Sequence, residues 1–94
     1  MTQRLEGKAG IVTGGATGLG GGCVRKLATD GARILIVDID EAGAAAMAQE
    51  INSSGGTAAA MTGDVAREET AVAMVERCMN EFGRLDILVQ NAYG

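Results

Sequence analysis

Short aliphatic runs alternate with longer stretches of helical periodicity along this chain of 94 residues. The runs at 9–13, 33–37, 57–62 and 86–90 are predicted as strands, and the stretches at 19–28, 41–53 and 67–82 as helices. Alternation with short loops and right-handed crossovers makes the sheet parallel. We therefore predict an α/β chain, βαβαβαβ, with strand order 3-2-1-4, which is the first half of a doubly wound fold.

Glycine is concentrated where the first strand meets the first helix, and residues 12–22 read VTGGATGLGGG. The first N–H groups of a helix are unpaired and its dipole is positive there, so a phosphate can be held by the backbone. Gly14 can make the tight turn, Gly18 can let the backbone approach a pyrophosphate, and Gly20 can let the helix lie close to the sheet. The alternative for such a loop is a flexible turn.

An acidic residue, Asp38, follows the second strand, where a carboxylate can bond both ribose hydroxyls of an adenosine. The alternative is a helix cap or loop acid. Its charge would repel a 2′-phosphate, and no Arg or Lys stands at Gly15, Ala16 or Thr17 to receive one. The pattern predicts a dinucleotide site that prefers NAD to NADP.

Composition argues against several other classes of protein. The net charge is −4 and the basic residues are scattered, so a nucleic-acid partner is not expected. The longest aliphatic run, 34–37, is far too short to span a membrane, and with no secretory leader in view we expect a cytoplasmic protein. Without histidine or a CxxC pair, a metal site is not expected, and Cys23 and Cys78 are predicted to be reduced core residues.

Four segments in register resemble the motifs of the short-chain dehydrogenase/reductases. They are the lead-in LEGK at 5–8, the glycine-rich TGGATGLG at 13–20, Asp64-Val65 after the third strand, and DILVQNA at 86–92. The last resembles the family's Asn-Asn-Ala-Gly motif, with two departures. Gln90 replaces the first Asn, and Tyr93 stands where Gly is expected, with Gly94 following.

The resemblance implies that residues 1–94 are the amino-terminal part of one NAD(P)-binding Rossmann domain. It further implies an oxidoreductase that transfers hydride between a nicotinamide cofactor and an alcohol or carbonyl substrate, with a homo-oligomer expected for the full-length protein. In the family, the carboxylate matching Asp64 binds the adenine amine, and the residue matching Asn91 helps hold the central strands and contacts the cofactor. The cofactor-binding residues expected here are Gly14, Ala16, Thr17, Gly18, Leu19, Gly20, Asp38, Ile39, Asp64, Val65, Asn91 and Ala92.

No catalytic residue can be assigned within these 94 residues. The family uses a Tyr-x-x-x-Lys pair with a Ser and an Asn, in which the Lys lowers the Tyr pKa. Here Tyr93 is the single tyrosine, and Lys8 and Lys26 both precede the second strand. We therefore expect a truncated, inactive cofactor-binding half of a longer enzyme. The alternative is a non-catalytic nucleotide-binding or partner-binding module, and a downstream Tyr-x-x-x-Lys would discriminate between the two.

Overall fold

The computed structural model describes residues 4–16 and 18–91. Strands and helices alternate as predicted in this part of the chain. They are β1 (Ala9–Thr13), α1 (Gly18–Thr29), β2 (Arg33–Asp38), α2 (Glu41–Ser53), β3 (Thr57–Thr62), α3 (Glu68–Phe82) and β4 (Ile87–Gln90).

The strands form a parallel sheet in the order β3-β2-β1-β4, which confirms the predicted α/β fold and strand order. Alternate residues of a strand point to opposite faces. On one face Val12, Ile34 and Ile36 pack with α1 and α2. On the other face Ile11 and Leu35 pack with α3. β1 and β2 are therefore covered on both sides, which explains why their sequences are continuously aliphatic.

Several element ends differ by one residue from the prediction. Asp38 belongs to β2 because it pairs with Thr62. Arg67 has extended backbone angles, φ −97° and ψ 135°, and precedes α3. Asp86 precedes β4, where its carboxylate accepts the Ala9 N–H at 3.0 Å and its own N–H donates to the Ala9 carbonyl at 2.8 Å.

The apolar stripe of α3 is wider than the face that this sheet covers. Met74 and Cys78 are buried against β1 and β2. Val72, Val75 and Met79, which share the periodicity, are exposed. The sheet surface beside them is also open, because Leu88 on the same face is 48% exposed. Apolar surface on this side is thus left uncovered by the described residues.

The two cysteines lie on helices, as predicted. Cys78 on α3 is buried and Cys23 on α1 is half-buried, and both are free thiols. Burial raises the pKa of the Cys78 thiol, and its S–H donates to the Arg84 carbonyl at 3.3 Å. Both side chains pack as small core residues.

Local side-chain contacts fix both ends of α2. Asp40 precedes the helix as its N-cap, and its carboxylate accepts the Gly43 N–H at 3.0 Å. After the helix, Gly55 takes the left-handed conformation with φ 93°. In the last turn, the Asn52 amide bonds both backbone groups of Ala58. Its Oδ1 accepts the Ala58 N–H at 2.9 Å, and its Nδ2 donates to the Ala58 carbonyl at 3.0 Å.

Candidate functional site

The sequence-predicted site residues follow the carboxyl ends of four parallel strands and therefore lie along one edge of the sheet. The glycine-rich loop follows β1. Asp38 is the last residue of β2 and Ile39 follows it, Asp64 and Val65 follow β3, and Asn91 follows β4. Thr17 and Ala92, as well as Tyr93, lie outside the described residues.

Left-handed backbone at two positions shapes the glycine-rich loop. Gly14 has φ 68°, and its N–H donates to the Val37 carbonyl at 2.8 Å, which ties the start of the loop to β2. Gly18 has φ 62° at the first residue of α1. A Cβ on Gly18 would meet no described atom within 4 Å. Glycine is needed there for the backbone angle, and the space beside it is open to a ligand.

Gly20 lies where the first turn of α1 passes over the loop. A Cβ built on it would lie 2.7 Å from the Gly14 carbonyl carbon, closer still to that carbonyl's oxygen, and 2.9 Å from Asn91 Nδ2. No side chain fits in this space without moving backbone. The glycine therefore lets α1, the loop and the end of β4 meet at one point.

The amino terminus of α1 carries no acidic residue in its first turn, within the described residues. The first turns of α2 and α3 do, with Glu41 in one and Glu68 and Glu69 in the other. Acidic side chains offset the positive end of a helix dipole. The amino end of α1 lacks this compensation, and it is the end that the glycine-rich loop exposes.

Asp38 is joined to the glycine-rich loop by a direct hydrogen bond. Its Oδ2 accepts the Ala16 N–H at 3.1 Å, and its Oδ1 accepts the Asp40 N–H at 3.0 Å. Its main-chain carbonyl accepts the Gly63 N–H at 3.1 Å, which brings the end of β3 to the same place. Each carboxylate oxygen keeps a lone pair for a further donor.

The remaining predicted residues either expose an apolar side chain or lie in the turn that leads to α3. Leu19 is 82% exposed and Ile39 is 73% exposed, so both side chains are free to contact a ligand. Asp64 Oδ1 accepts the Ala66 N–H at 2.9 Å in the turn that leads to α3. The Val65 side chain packs with the core on the α3 face, which leaves its backbone as the part that can face a ligand.

One residue at this edge, Thr13, was given no role by the sequence analysis. Its buried hydroxyl accepts the Asn91 N–H at 3.1 Å and donates to the Val89 carbonyl at 3.4 Å. The hydroxyl thus holds the end of β4 beside the loop. The signal in the sequence was a polar residue closing an otherwise apolar buried strand.

Asp86 lies at the opposite edge of the sheet, before β4, and is structural. Arg84 donates to its carboxylate from Nε at 2.7 Å and from a terminal nitrogen at 2.9 Å. These bonds and the Ala9 N–H lower the pKa of Asp86 from 3.8 to about 2. The sequence pattern showed it only as the first residue of a strand.

Residues 4–16 and 18–91 contain neither a cluster of metal ligands nor a membrane-spanning helix. No group of three or more His, Cys, Asp and Glu side chains is arranged there to hold a metal ion. Within the same ranges, no helix combines the length and the apolar character needed to cross a membrane.

Comparison with known families matches residues 8–94 to the short chain dehydrogenase model. The chain belongs to this family. A hydroxysteroid dehydrogenase from Escherichia coli superposes on it with a TM-score of 0.93 and 36% identity, over 98% of this chain and 39% of that one. The described residues therefore have the fold of this hydroxysteroid dehydrogenase over the part of it that they match.

Characterised relatives from distant organisms are about equally similar. The chain is 40% identical over 89 residues to D-threitol dehydrogenase of Mycolicibacterium smegmatis, covering 95% of this chain and 34% of the relative. It is 42% identical over 92 residues to L-fucose dehydrogenase of Bos taurus, covering 98% of this chain and 33% of the relative. The chain thus spans about a third of the length of the curated relatives it matches.

Proposed function

We propose that these residues are the cofactor-binding part of an NAD(P)-dependent oxidoreductase that interconverts an alcohol and a carbonyl compound. Family membership supports the reaction class. The residues at the carboxyl ends of the strands support the proposal of a dinucleotide cofactor. The observation that carries the proposal is the hydrogen bond between Asp38 and Ala16. This bond brings the Asp38 carboxylate, the proposed acceptor for ribose hydroxyls, next to the loop that leads into α1, whose amino terminus would suit a pyrophosphate.

The phosphate end of the cofactor is assigned to the loop that runs into α1. Gly14 and Gly18 supply left-handed backbone, the space beside Gly18 is open, and Gly20 keeps α1 close. Ala16, Thr17 and Leu19 complete the group of loop residues expected to face the pyrophosphate. The uncompensated dipole of α1 favours an anion at this position.

The adenosine end is assigned to the ends of β2 and β3. Asp38 accepts ribose hydroxyls, and the exposed side chain of Ile39 offers an apolar surface to the adenine. Asp64 and the backbone of Val65 recognise the adenine edge. Asn91 and Ala92, after β4, are assigned to the nicotinamide side, where the bound nicotinamide would supply the hydride chemistry.

We further propose that NAD is preferred to NADP. The Asp38 carboxylate would lie against a 2′-phosphate, and its bonded donors are uncharged backbone N–H groups. A like-charge contact or a lost hydrogen bond of this kind is worth about 1 to 3 kcal/mol. Titration of the whole protein with NAD and NADP measures the difference, and NADP binding as tight as NAD would contradict the assignment.

A pair of matched variants separates the role of Asp38 from the effect of net charge. Asp38→Asn removes the charge beside the ribose and should narrow the ratio of NAD to NADP affinity. Asp40→Asn removes the same charge two residues away, where the side chain caps α2 instead. It should leave the ratio unchanged, because Asn is also a good N-cap.

The rest of the polypeptide is proposed to supply catalysis and substrate binding. A proton donor beside the hydride is required when a carbonyl is reduced to an alcohol, and the 94 residues hold no Tyr-x-x-x-Lys pair. Oxidation of alcohols by the whole protein, followed by NADH absorbance, tests the reaction class. A cytoplasmic location and a homo-oligomer remain predictions for that protein.

A further inference from the structure

We infer that Asp38 is also a positioning residue, which holds the glycine-rich loop in its anion-binding shape before any cofactor arrives. This inference rests on the proposed function for its ligand and concerns a contact within the protein. The Asp38 carboxylate would then control two properties of the site, which are the preference for NAD over NADP and the affinity for the pyrophosphate.

The first support is the geometry of the loop. Its start is tied to β2 through the Gly14 N–H, which donates to the Val37 carbonyl at 2.8 Å. Two residues later the Ala16 N–H donates to Asp38 Oδ2 at 3.1 Å. These bonds attach the first turn of the loop to adjacent residues of one strand. The second of them depends on a side chain.

The second support is the burial of Ala16, which is 6% exposed. Its methyl group lies against the first turn of α2, where a Cβ added to Gly43 would come within 3.1 Å of it. A buried N–H that loses its acceptor is costly. Without the Asp38 carboxylate, the Ala16 backbone must therefore turn toward water and take the loop with it.

The third support is the other half of the carboxylate. Asp38 Oδ1 accepts the Asp40 N–H at 3.0 Å, which fixes the rotation of the side chain from the β2–α2 connection. Oδ2 is thereby aimed at the loop by residues that do not belong to the loop. Replacing Asp38 to admit NADP would release the loop, so affinity for both dinucleotides would fall.

The decisive experiment uses inorganic pyrophosphate, which has no ribose, with the whole protein and the variants Asp38→Ala and Asp40→Ala. Removing a negative charge should by itself strengthen anion binding, as expected for Asp40→Ala. Asp38→Ala should instead weaken pyrophosphate binding by at least about fivefold, the effect of one ordinary hydrogen bond. Pyrophosphate affinity that is unchanged or tighter in Asp38→Ala would overturn the inference.

Hydrogen exchange at the Ala16 amide of the cofactor-free protein gives a second readout. The amide should be protected in the wild type and in Asp40→Ala, and should exchange faster in Asp38→Ala. Equal protection in Asp38→Ala and wild type overturns the inference. A wild-type protein that does not bind NAD contradicts the proposed function, and the Ala16 amide still decides whether the tether exists.

Asp38→Asn tests whether the hydrogen bond itself is responsible, because its amide oxygen can still accept one N–H. Pyrophosphate affinity and Ala16 protection should be recovered together or lost together, depending on which donor the oxygen faces. Recovery of one without the other would show that the bond does not set the shape of the loop.

Discussion

Replacing Gly20 with alanine tests the claim that α1, the glycine-rich loop and the end of β4 meet without room for a side chain. The new methyl group would lie 2.7 Å from the Gly14 carbonyl carbon and 2.9 Å from Asn91 Nδ2. The Asn91 amide can move, but the Gly14 carbonyl is backbone anchored to β2. Relief must come from a shift of the loop or of α1.

The size of the effect follows from comparison with Gly22, two residues further along α1. A Cβ on Gly22 would meet no described atom within 4 Å. Ala in place of Gly inside a helix stabilises it by about 0.5 to 1 kcal/mol, so Gly22→Ala should be slightly more stable than wild type. Gly20 also lies in α1 and shares this gain, so the two variants should differ by the cost of overpacking alone, about 1 to 3 kcal/mol.

Urea unfolding of the whole protein measures the free energies, and NAD titration of the same samples measures the loop. Gly20→Ala should bind NAD at least about tenfold more weakly, because the shifted loop no longer presents its N–H groups together. Gly22→Ala should bind NAD like wild type. If Gly20→Ala matched Gly22→Ala in both stability and NAD affinity, the argument from close packing would be refuted.

Three further outcomes are expected. Gly18→Val should weaken NAD binding by at least about tenfold, since the residue has φ 62° and its side chain would enter the open space assigned to the pyrophosphate. Asp86→Asn should lower stability at neutral pH, and its difference from wild type should vanish in acid. The pKa of Asp86 is lowered from 3.8 to about 2, so its contribution is present above about pH 4 and is lost as the pH falls toward 2. The 94-residue chain alone should lack dehydrogenase activity and should aggregate or bind a hydrophobic dye, because Val72, Val75 and Leu88 are exposed on one face.

The first two of these outcomes have matched control variants. Gly18→Ala shares the backbone strain of the valine variant but adds less bulk, so it should bind NAD better than Gly18→Val. Glu81→Gln removes a carboxylate from an exposed pair with Arg77, and should lower stability at neutral pH less than Asp86→Asn does. For the isolated chain, a monodisperse monomer with a cooperative melt in light scattering and calorimetry would contradict the expectation.

The order of the strands was predictable because it depends on a pattern spread over the whole chain. Aliphatic runs and helical stretches alternate, and the handedness of crossovers leaves few topologies. The ends of elements were less predictable because single hydrogen bonds decide them. Asp86 bonds Ala9 on a neighbouring strand, and no local pattern indicates that partner.

In the candidate site, too, some features could be predicted from the sequence and others could not. The roles of Gly14, Gly18 and Gly20 could be predicted from turn chemistry, and the role of Asp38 from its place at the end of the second strand. The bond between Asp38 and Ala16 could not be predicted, because it depends on the path of the loop in space. The helical periodicity of α3 identified its apolar residues. It could not show that two of them, Val72 and Met79, are left exposed because the sheet does not cover them.

The two hydrogen bonds between the Asn52 side chain and the Ala58 backbone bear on the register in which β3 pairs with β2. β3 reads Thr-Ala-Ala-Ala-Met-Thr, so both of its faces carry alanine and a slip by one residue changes little in side-chain character. The Asn52 amide bonds the N–H and the carbonyl of a single residue of the strand, Ala58. This contact spans six residues and holds Ala58 relative to α2, in addition to the pairing of Ala58 with Ile34 of β2. A nearly uniform strand is thus held in one register by the helix that precedes it as well as by its neighbouring strand.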